Sequence, residues 1–348
     1  MVRLLIAASG TGGHLFPALA LAEHLPDYEI EWLGVKDRLE MSLIGDQYRL
    51  HTIPVEGFQT RSPLKKLQIL FKLIKGIFIV KKLIKEHQIN VVFTTGGYIA
   101  APAILGARLA GIPAIIHESN FIPGKVTRLL SRFCHGVALG FAGTAKYLPQ
   151  SKTVWVSTPV RSQFYSPQPL DLPIPDNVPL IAVIGGSQGA ISVNQLVRQC
   201  APSWLSTGAY IVHLTGKNDP DVSSLEHPHY FAFPFYDNMA GLLQRANLAV
   251  SRSGAGTLTE LAITRTPAIL IPYPFAAEDH QTYNARVFVE AGAALLYPQP
   301  ELTAEILENS GLNYLKNPQQ LEKMANQAQS LAVLDSAEQL ATLVKSFV

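Results

Sequence analysis

The strongest constraint on the fold is a pattern of short apolar runs that alternate with longer helical segments, and the pattern occurs twice. In the first half, strands are predicted at RLLIAA, EIEWLG, NVVFTTG, PAIIHE and HGVALG. The second half begins again with PLIAVIGG, AYIVHLTG, YFAFPF, LAVSRSG and PAILIPYP. Strands that alternate with helices indicate βαβ units and a parallel sheet. The sequence therefore predicts two doubly wound α/β domains.

A proline-rich stretch separates the two halves. Seven prolines occur between Pro149 and Pro179. Because proline fixes φ and lacks an amide donor, this stretch is unfavourable for a helix or an inner strand. We predict an N-terminal domain over residues 1–157, a second domain over residues 158–330 and a final segment over residues 331–348.

Composition excludes several classes of protein. A chain of 348 residues, 48% of them hydrophobic, is long enough for two buried cores. The net charge of +2 predicts no nucleic-acid partner, and two cysteines without CxxC spacing favour a reducing compartment. No apolar stretch approaches the roughly 18–20 residues that a spanning helix needs. We therefore expect a cytoplasmic protein or one bound to a membrane surface.

Each half opens with a strand followed by a glycine loop, SGTGGH (residues 9–14) and GGSQGA (residues 185–190). The first loop is a poor dinucleotide motif, because the third glycine of GxGxxG would fall at Leu15, and the chain lacks a P-loop. A strand, loop and helix still present N–H groups and a positive dipole end, which suit a phosphate. His14 ends the first loop, where a neutral imidazole can accept a proton from a substrate hydroxyl.

Two interpretations of the second half remain open. GGSQG fits the GxSxG nucleophile elbow of α/β-hydrolases, with Asp279 and His280 downstream. In the other interpretation, Ser187 and the surrounding N–H groups hold a phosphate. The segment SRSGAGTLTE favours this one, because Arg252 can neutralise a diphosphate and Glu260 can accept both hydroxyls of a ribose.

Seven motifs occur in order from about residue 3 to the C-terminus: GTGGHLFPALALA, TTGGYIAAPA, IIHESN, TPVR, VIGGSQGA, SRSGAGTLTE and DHQTYNA. Together they resemble the MurG family of bacterial glycosyltransferases, which act in peptidoglycan synthesis. The resemblance implies transfer of N-acetylglucosamine from its UDP derivative to the undecaprenyl-diphosphate-linked muramoyl-pentapeptide. It also implies a GT-B fold, with two Rossmann-like domains facing a cleft and a last helix that returns to the first domain.

The reaction needs a base for the acceptor hydroxyl, for which His14 is the first candidate and Glu118 the rival. The resemblance implies substrate contacts at Thr11, Gly12, Gly13, Asn120, Arg161, Ser187, Tyr236, Arg252, Ala255, Gly256, Thr257, Leu258, Thr259, Glu260 and Gln281. No DxD-type acidic pair lies near these loops. We therefore expect no obligatory metal, and a divalent cation at most to stimulate the reaction.

A lipid-linked acceptor implies contact with a membrane, and residues 64–88 are the candidate segment. One helical face would carry Leu67, Leu70, Ile74, Ile77 and Phe78. Residues 61–90 hold eight basic side chains against Glu86, a local net charge of +7. Each lysine near an anionic surface contributes about 1 kcal/mol. The predicted membrane contacts are Lys65, Lys72, Lys75, Ile77, Phe78 and Lys82.

We expect a peripheral protein at the cytoplasmic face of the bacterial plasma (inner) membrane. Besides the serine hydrolase, two alternatives stay open at this point. One is a related glycosyltransferase that acts on another lipid, such as diacylglycerol. The other is a non-catalytic protein that binds a lipid carrier or a nucleotide.

Overall fold

A computed structural model describes residues 1–44, 47–57, 62–186 and 189–348. The chain divides into two compact units. The N-terminal unit comprises Met1–Arg161 and Asp335–Val348, and the C-terminal unit comprises Ser162–Leu334. The last helix therefore belongs to the N-terminal unit.

The N-terminal unit is built on a parallel sheet. Its strands are β1 (Val2–Ala7), β2 (Tyr28–Gly34), β3 (Arg49–Thr52), β4 (Val91–Thr94), β5 (Ala114–Glu118), β6 (Gly136–Leu139) and β7 (Thr153–Trp155). Their order across the sheet is β3-β2-β1-β4-β5-β6-β7. Its helices are α1 (Gly12–Glu23), α2 (Glu40–Leu43), α3 (Pro63–Glu86), α4 (Ala100–Ala110), α5 (Lys125–Leu130) and α12 (Ser336–Lys345).

Both faces of this sheet are buried, which explains the continuous apolar runs of inner strands such as β1 and β4. Successive side chains of a strand point to opposite faces. Leu4 therefore packs with residues of α1 and α12 such as Leu21 and Leu340. Leu5 packs on the other side with residues of α3 and α4 such as Leu83. Each such side chain contributes about 1.5–3 kcal/mol on full burial.

Helix α3 lies against α4 through a close contact at Gly106. A Cβ atom at this position would lie 2.9 Å from Cβ of Val80 and 3.2 Å from the carbonyl oxygen of Ile77. Any larger residue would push the two helices apart. The contact fixes which side of α3 faces the unit.

The C-terminal unit repeats the design. Its strands are β8 (Leu180–Ile184), β9 (Tyr210–Leu214), β10 (Tyr230–Phe233), β11 (Leu248–Ser251), β12 (Ala268–Leu270) and β13 (Ala294–Leu296), in the order β10-β9-β8-β11-β12-β13. All adjacent pairs are parallel. Its helices are α6 (Ile191–Leu205), α7 (Met239–Arg245), α8 (Ala255–Ile263), α9 (His280–Glu290), α10 (Ala304–Lys316) and α11 (Pro318–Ser330).

All ten predicted strands are present, and the predicted architecture of two Rossmann-like parallel-sheet domains is confirmed. Strands β3, β7 and β13 are the additions. Among the helices that the structure describes, none combines the length and hydropathy that a bilayer-spanning segment requires.

Candidate active site

Each sheet has one point where the strand order reverses, between β1 and β4 in the N-terminal unit and between β8 and β11 in the C-terminal unit. In open parallel sheets, ligands bind beyond the carboxyl ends of the strands at this switch point. The SGTGGH loop follows β1, and the GGSQGA loop follows β8. Both glycine loops therefore lie where the topology of their own unit predicts a ligand.

His14 lies in the first turn of α1, and its ring reaches across the switch point to the loop after β4. Its Nδ1 lies 2.8 Å from the carbonyl oxygen of Thr95. Because a carbonyl only accepts hydrogen bonds, Nδ1 carries the proton of the neutral ring and donates it. The other ring nitrogen, Nε2, then keeps its lone pair. The structure thus holds the imidazole in the tautomer that a general base needs.

The loop after β4 leaves room for this ring through two consecutive glycines. Gly96 and Gly97 have φ values of +91° and +72°, and a Cβ atom at Gly97 would lie 3.7 Å from Nε2 of His14. A Cβ atom there would be in van der Waals contact with this nitrogen, and the positive φ disfavours any side chain at position 97. The TTGGYIA motif is therefore part of the site, although the sequence analysis assigned none of its residues a role.

A buried glutamate holds the first glycine loop in place. Glu40 is completely buried, and its carboxylate accepts hydrogen bonds from the Ser9 hydroxyl (2.5 Å), the Gly10 N–H (3.1 Å) and the Val35 N–H (2.8 Å). Gly10 has a φ of +106°, a conformation that favours glycine. Glu40 thus links the turn before α1 to the end of β2. No motif in the sequence indicates this role of Glu40.

Glu118 ends β5, and its own loop uses both carboxylate oxygens. The main-chain and side-chain nitrogens of Asn120 donate to Oε1, at 3.0 and 3.3 Å. The Gly124 N–H and the Thr127 hydroxyl donate to Oε2, at 3.0 and 2.6 Å. A carboxylate with this many donors organises the loop around it. The geometry favours His14 over Glu118 as the base.

The Glu118→Gln variant should therefore lose stability before it loses chemistry. The glutamine NH₂ group would face two donors, which costs about 1–3 kcal/mol of unfolding free energy. We expect a lower thermal unfolding midpoint, measured by circular dichroism, while Glu23→Gln on the exposed side of α1 leaves it unchanged. A large loss of turnover at an unchanged midpoint would instead support Glu118 as the base.

Two residues near these loops, His117 and Arg161, make contacts within the N-terminal unit. His117 is completely buried, its Nε2 donates to the Ser157 carbonyl at 2.9 Å, and burial lowers its pKa. The guanidinium of Arg161 lies over the ring of Phe16 in α1, 4.5 Å from the ring centroid. The predicted donor contact of Arg161 and the predicted sugar contact of Asn120 stay predictions.

At the first switch-point loop, Thr11 and Gly13 are exposed and Gly12 is buried. Thr11 precedes α1 in an extended conformation, and its side chain makes no capping hydrogen bond. The first turn of α1 therefore presents its N–H groups without a side-chain cap. This arrangement is compatible with the predicted substrate contacts of the loop.

In the C-terminal unit, Gly189 lies close to the backbone that follows β9. Gly189 has a φ of +78°, and a Cβ atom there would lie 2.4 Å from the Thr215 carbonyl oxygen. Glycine is required at this position, because both the conformation and the space exclude a side chain. Ser187, the predicted phosphate contact, lies outside the described residues.

Arg252 follows β11 and is almost completely buried. Its guanidinium donates to the carbonyls of Ile271 and Pro272, both at 3.0 Å, and to the Gln299 side chain at 2.6 Å. Burial lowers its pKa to about 10. These bonds join the ends of β11 and β12, so Arg252 supports the loop, and its contact with a diphosphate stays a prediction.

Helix α8 begins directly after this loop, with Gly254 as its N-cap residue. Gly256, Thr257 and Glu260 are half-buried, whereas Ala255, Leu258 and Thr259 are buried. Leu258 and Thr259 therefore pack into the unit, and a ligand contact at these two positions would use the backbone.

Gln281, at the start of α9, is held by its amide oxygen. This oxygen accepts from the N–H groups of Ser253 (3.2 Å) and Tyr273 (2.9 Å), and the Ser253 hydroxyl donates to the Gln281 carbonyl at 2.8 Å. The side-chain NH₂ group is then the part of Gln281 that can donate to a ligand. Sequence analysis missed Ser253, which joins the β11 loop to α9.

Tyr236 is nearly buried after β10. Its ring stacks on Phe233, with centroids 5.5 Å apart, and its hydroxyl donates to the carboxylate of Asp171. Burial and this carboxylate raise the pKa of Tyr236. The side chain is engaged within the unit, which leaves the backbone for the predicted uracil contact.

Asp279 and His280, the candidate partners of Ser187 in a hydrolase triad, form hydrogen bonds with other residues and not with each other in the described structure. Asp279 accepts from the Thr282 hydroxyl at 2.7 Å, and His280 Nδ1 donates to the Ala277 carbonyl at 2.7 Å. A triad requires the carboxylate to orient the imidazole through that same nitrogen. The serine-hydrolase interpretation is not favoured.

Comparison with known proteins decides the family. Residues 4–139 match the glycosyltransferase family 28 N-terminal domain, and residues 180–340 match the glycosyltransferase family 28 C-terminal domain. The chain belongs to glycosyltransferase family 28.

Two relatives within this family carry the name UDP-N-acetylglucosamine–N-acetylmuramyl-(pentapeptide) pyrophosphoryl-undecaprenol N-acetylglucosamine transferase. The protein from Rippkaea orientalis is 82% identical over 348 residues, covering 100% of this chain and 99% of that protein. The protein from a Synechocystis strain is 65% identical over 347 residues, covering 100% and 98%. The resemblance to the MurG family is confirmed.

Solved structures agree with this family assignment. The crystal structure of Acinetobacter baumannii MurG is 29% identical, with a TM-score of 0.79 over 99% of this chain and 100% of that chain. A kitacinnamycin glycosyltransferase is 13% identical, with a TM-score of 0.77 over 99% of both chains, and supports the fold alone. The protein is thus a family 28 glycosyltransferase with the GT-B fold.

Proposed function

We propose that the protein transfers N-acetylglucosamine from UDP-N-acetylglucosamine to O4 of the muramoyl sugar of a polyprenyl-diphosphate-linked muramoyl-pentapeptide, with inversion. One observation carries the mechanism. At the switch point of the N-terminal unit, His14 Nδ1 lies 2.8 Å from the Thr95 carbonyl oxygen. This contact fixes the tautomer of His14 that leaves Nε2 as an acceptor. The names of the similar proteins support the identities of donor and acceptor.

In the proposed step, the O4 hydroxyl attacks the anomeric carbon of the donor while His14 Nε2 takes the hydroxyl proton. The bond from the anomeric carbon to the diphosphate breaks on the opposite side, and UDP leaves with the electron pair. A positioned base of this kind contributes about 10²–10⁴-fold to the rate. The Thr95 carbonyl stabilises the imidazolium that forms, because it already accepts from Nδ1.

The departing UDP gains negative charge that the C-terminal unit is proposed to stabilise. The N-terminus of α8, whose N-cap residue is Gly254, offers N–H groups and a positive dipole end at the close of β11. Such preorganised donors often contribute the largest part of catalysis. We propose that Ser187 assists them, that transfer needs no obligatory metal, and that a divalent cation at most stimulates it.

For the nucleotide and the sugar, we propose that Glu260 binds the ribose hydroxyls, that the backbone at Tyr236 binds the uracil, and that the Gln281 NH₂ group binds N-acetylglucosamine. Gln281 is the best supported, because two main-chain N–H groups fix its amide oxygen and so orient its NH₂ group.

The Glu260→Ala variant is expected to bind UDP at least about tenfold more weakly, since one hydrogen bond to a charged group contributes about 1.5–3 kcal/mol. Isothermal titration with UDP measures the change. Glu305→Ala, at an exposed position on α10, is the matched control. Unchanged affinity in Glu260→Ala would contradict the ribose role.

We also propose that α3 binds an anionic membrane surface. Its exposed large apolar side chains are Leu64, Leu67, Leu70, Phe71, Ile74 and Phe78. At 3.6 residues per turn, most of them fall opposite the side on which Ile69, Gly76 and Val80 are buried. An apolar stripe that the unit does not cover, next to lysines, is typical of a helix that lies in a membrane interface.

The lysines of α3 differ in how available they are. Lys65, Lys75 and Lys82 are exposed, whereas Lys72 is half-buried and donates to Glu56. Lys82 also lies 3.5 Å from the Glu86 carboxylate, but both side chains are exposed, and such surface pairs contribute little. Ile77, a predicted membrane contact, is half-buried. We propose that Lys65, Lys75 and Lys82 contribute most of the attraction to anionic lipid, and that the protein acts at the cytoplasmic face of the plasma membrane.

Product analysis tests the proposed reaction. The enzyme is incubated with UDP-N-acetylglucosamine and, in separate reactions, a short-chain muramoyl-pentapeptide lipid or diacylglycerol, and the product is examined by mass spectrometry and NMR. We expect one added N-acetylglucosamine in β-linkage to O4. An α-linkage would exclude the single-displacement mechanism, and a sugar added only to diacylglycerol would identify the other acceptor class.

A further inference from the structure

Three metal-ligating side chains converge in the N-terminal unit, away from the strand ends that carry the glycine loops. Glu31 is on β2, His51 is on β3, and His87 directly follows α3. One ligand atom of each lies within 4.8 Å of the others. Leu33 pairs with His51 in the sheet, so Glu31 and His51 share the face on which α3 packs.

The two imidazoles converge on one carboxylate. His51 Nε2 lies 2.5 Å from Oε2 of Glu31. His87 Nδ1 lies 2.9 Å from both carboxylate oxygens and is hydrogen-bonded to Oε1. The rings meet edge to face with centroids 4.8 Å apart. The Glu31 side chain is 4% exposed and each imidazole is 18% exposed, so the Glu31–His51–His87 cluster is largely buried but open to solvent on one side.

We propose that the Glu31–His51–His87 cluster is a binding site for Zn²⁺. Two imidazole nitrogens and one carboxylate oxygen are a ligand set that Zn²⁺ takes in proteins, and water completes the tetrahedron from the open side. Mg²⁺ and Ca²⁺ prefer oxygen ligands throughout and are disfavoured by the two nitrogens.

Two adjustments admit the ion. With zinc–ligand distances of about 2.0–2.2 Å, tetrahedral ligand atoms stand roughly 3.3 Å apart, so the carboxylate retracts by less than about 1 Å. The two imidazole nitrogens, which lie within 4.8 Å of each other, approach by about 1.5 Å. Each imidazole must bind through an unprotonated nitrogen, so its proton moves to the other ring nitrogen through solvent. The neighbouring cation, Arg3, is paired with Glu29 at 2.7 Å.

The bound ion would join β2, β3 and the C-terminal end of α3. It would stabilise the N-terminal unit by mass action, since it binds only where the fold brings the three ligands together. These residues are remote in sequence from the loops that carry His14 and Glu118, so we assign the site no part in transfer. Without the ion, the same residues form a hydrogen-bonded cluster in which both imidazoles donate to the carboxylate.

A competition titration tests the site on the full chain after dialysis against a chelator. Zn²⁺ is added in the presence of a chromophoric chelator, and one equivalent is expected to bind the protein ahead of the dye. The affinity for Zn²⁺ should fall by about a hundredfold or more in each of the variants His51→Gln, His87→Gln and Glu31→Gln. Loss of a residue that only hydrogen-bonds to a metal ligand typically lowers metal affinity by about 10–100-fold, so the loss of a ligand itself should exceed this range. Co²⁺ in the wild-type protein should give the intense visible bands of a four-coordinate site.

The matched control is His227→Gln with His229→Gln, a histidine pair of the C-terminal unit whose rings lie 5.3 Å apart. This control should keep the one tight equivalent. Circular dichroism of the metal-free variants verifies folding, and the two histidine variants decide the outcome if Glu31→Gln does not fold. No tight equivalent in the wild-type protein, or equal binding by folded His51→Gln and His87→Gln, would overturn the proposal.

Discussion

The His14→Ala variant is expected to turn over about 10²–10⁴-fold more slowly than the wild type, the usual contribution of a positioned general base. Binding of UDP-N-acetylglucosamine should change little, because the proton transfer occurs only in the transition state. His14→Asn is the second variant, because it separates the hydrogen bond to Thr95 from the ability to accept a proton. It can still donate to the Thr95 carbonyl, but it cannot accept a proton, so it should be about as slow as Ala.

A matched control is available on the same helix. His24 is exposed, and its Nδ1 donates to the Ala20 carbonyl at 2.9 Å, much as His14 donates to Thr95. His24→Ala should retain wild-type turnover. If His14→Ala kept near wild-type turnover, His14 would be excluded as the base and Glu118 would become the candidate despite its four hydrogen bonds.

Replacing Leu67, Phe71 and Phe78 together with Glu should release the protein from anionic vesicles. The three side chains are 52%, 66% and 59% exposed. Each large apolar side chain contributes about 1.5–3 kcal/mol on full burial, so the partition coefficient should fall by about three orders of magnitude or more. Sedimentation with phosphatidylglycerol vesicles measures it. Ile306→Glu with Leu334→Glu, exposed positions of the C-terminal unit, should leave binding unchanged.

The basic component is tested separately. Vesicle binding should weaken by about two orders of magnitude when Lys65, Lys75 and Lys82 are all replaced by Gln, since each lysine contributes about 1 kcal/mol. The difference from the wild type should shrink with added salt. The same change at Lys217, Lys316 and Lys323 alters the net charge equally and is the control. Full retention of both α3 variants on the vesicles would show that this face of α3 has another role.

The strands with a continuous apolar run, including the edge strand β10, were predictable, and the edge strands β3, β7 and β13 were not, for one physical reason. An inner strand of a parallel sheet is buried on both faces and so is continuously apolar, as in LLIA of β1 or LIAVI of β8. The three additional strands lie at sheet edges. In β3, Arg49 and Thr52 are exposed, and RLHT shows no continuous apolar run. Such strands form because a neighbour pairs with them, and a local pattern does not contain that information.

The candidate site was predicted in its loops but not in its supporting contacts. Glycine loops that follow strands identify the two switch points directly. The contact that fixes His14 is a main-chain carbonyl 81 residues away, and Glu40 supports a loop 30 residues before it. Neither partner shows any local signal. Folding alone brings them together, so the geometric argument for His14 over Glu118 was not accessible from the sequence.

The apolar face of α3 was likewise predicted, whereas the side that packs on the unit was not. An amphipathic pattern shows where apolar residues align but does not indicate which of two apolar sides the sheet covers. The structure buries Ile69, Gly76 and Val80 and leaves Phe71 and Phe78 exposed.

The most direct test of the whole account is UDP release from UDP-N-acetylglucosamine, measured with and without a short-chain analogue of the muramoyl-pentapeptide lipid. The account predicts rapid release with this acceptor and almost none with water or diacylglycerol. Release that is independent of the muramoyl acceptor, or no release while UDP-N-acetylglucosamine still binds, would contradict the proposed function and leave the family 28 fold to serve another acceptor.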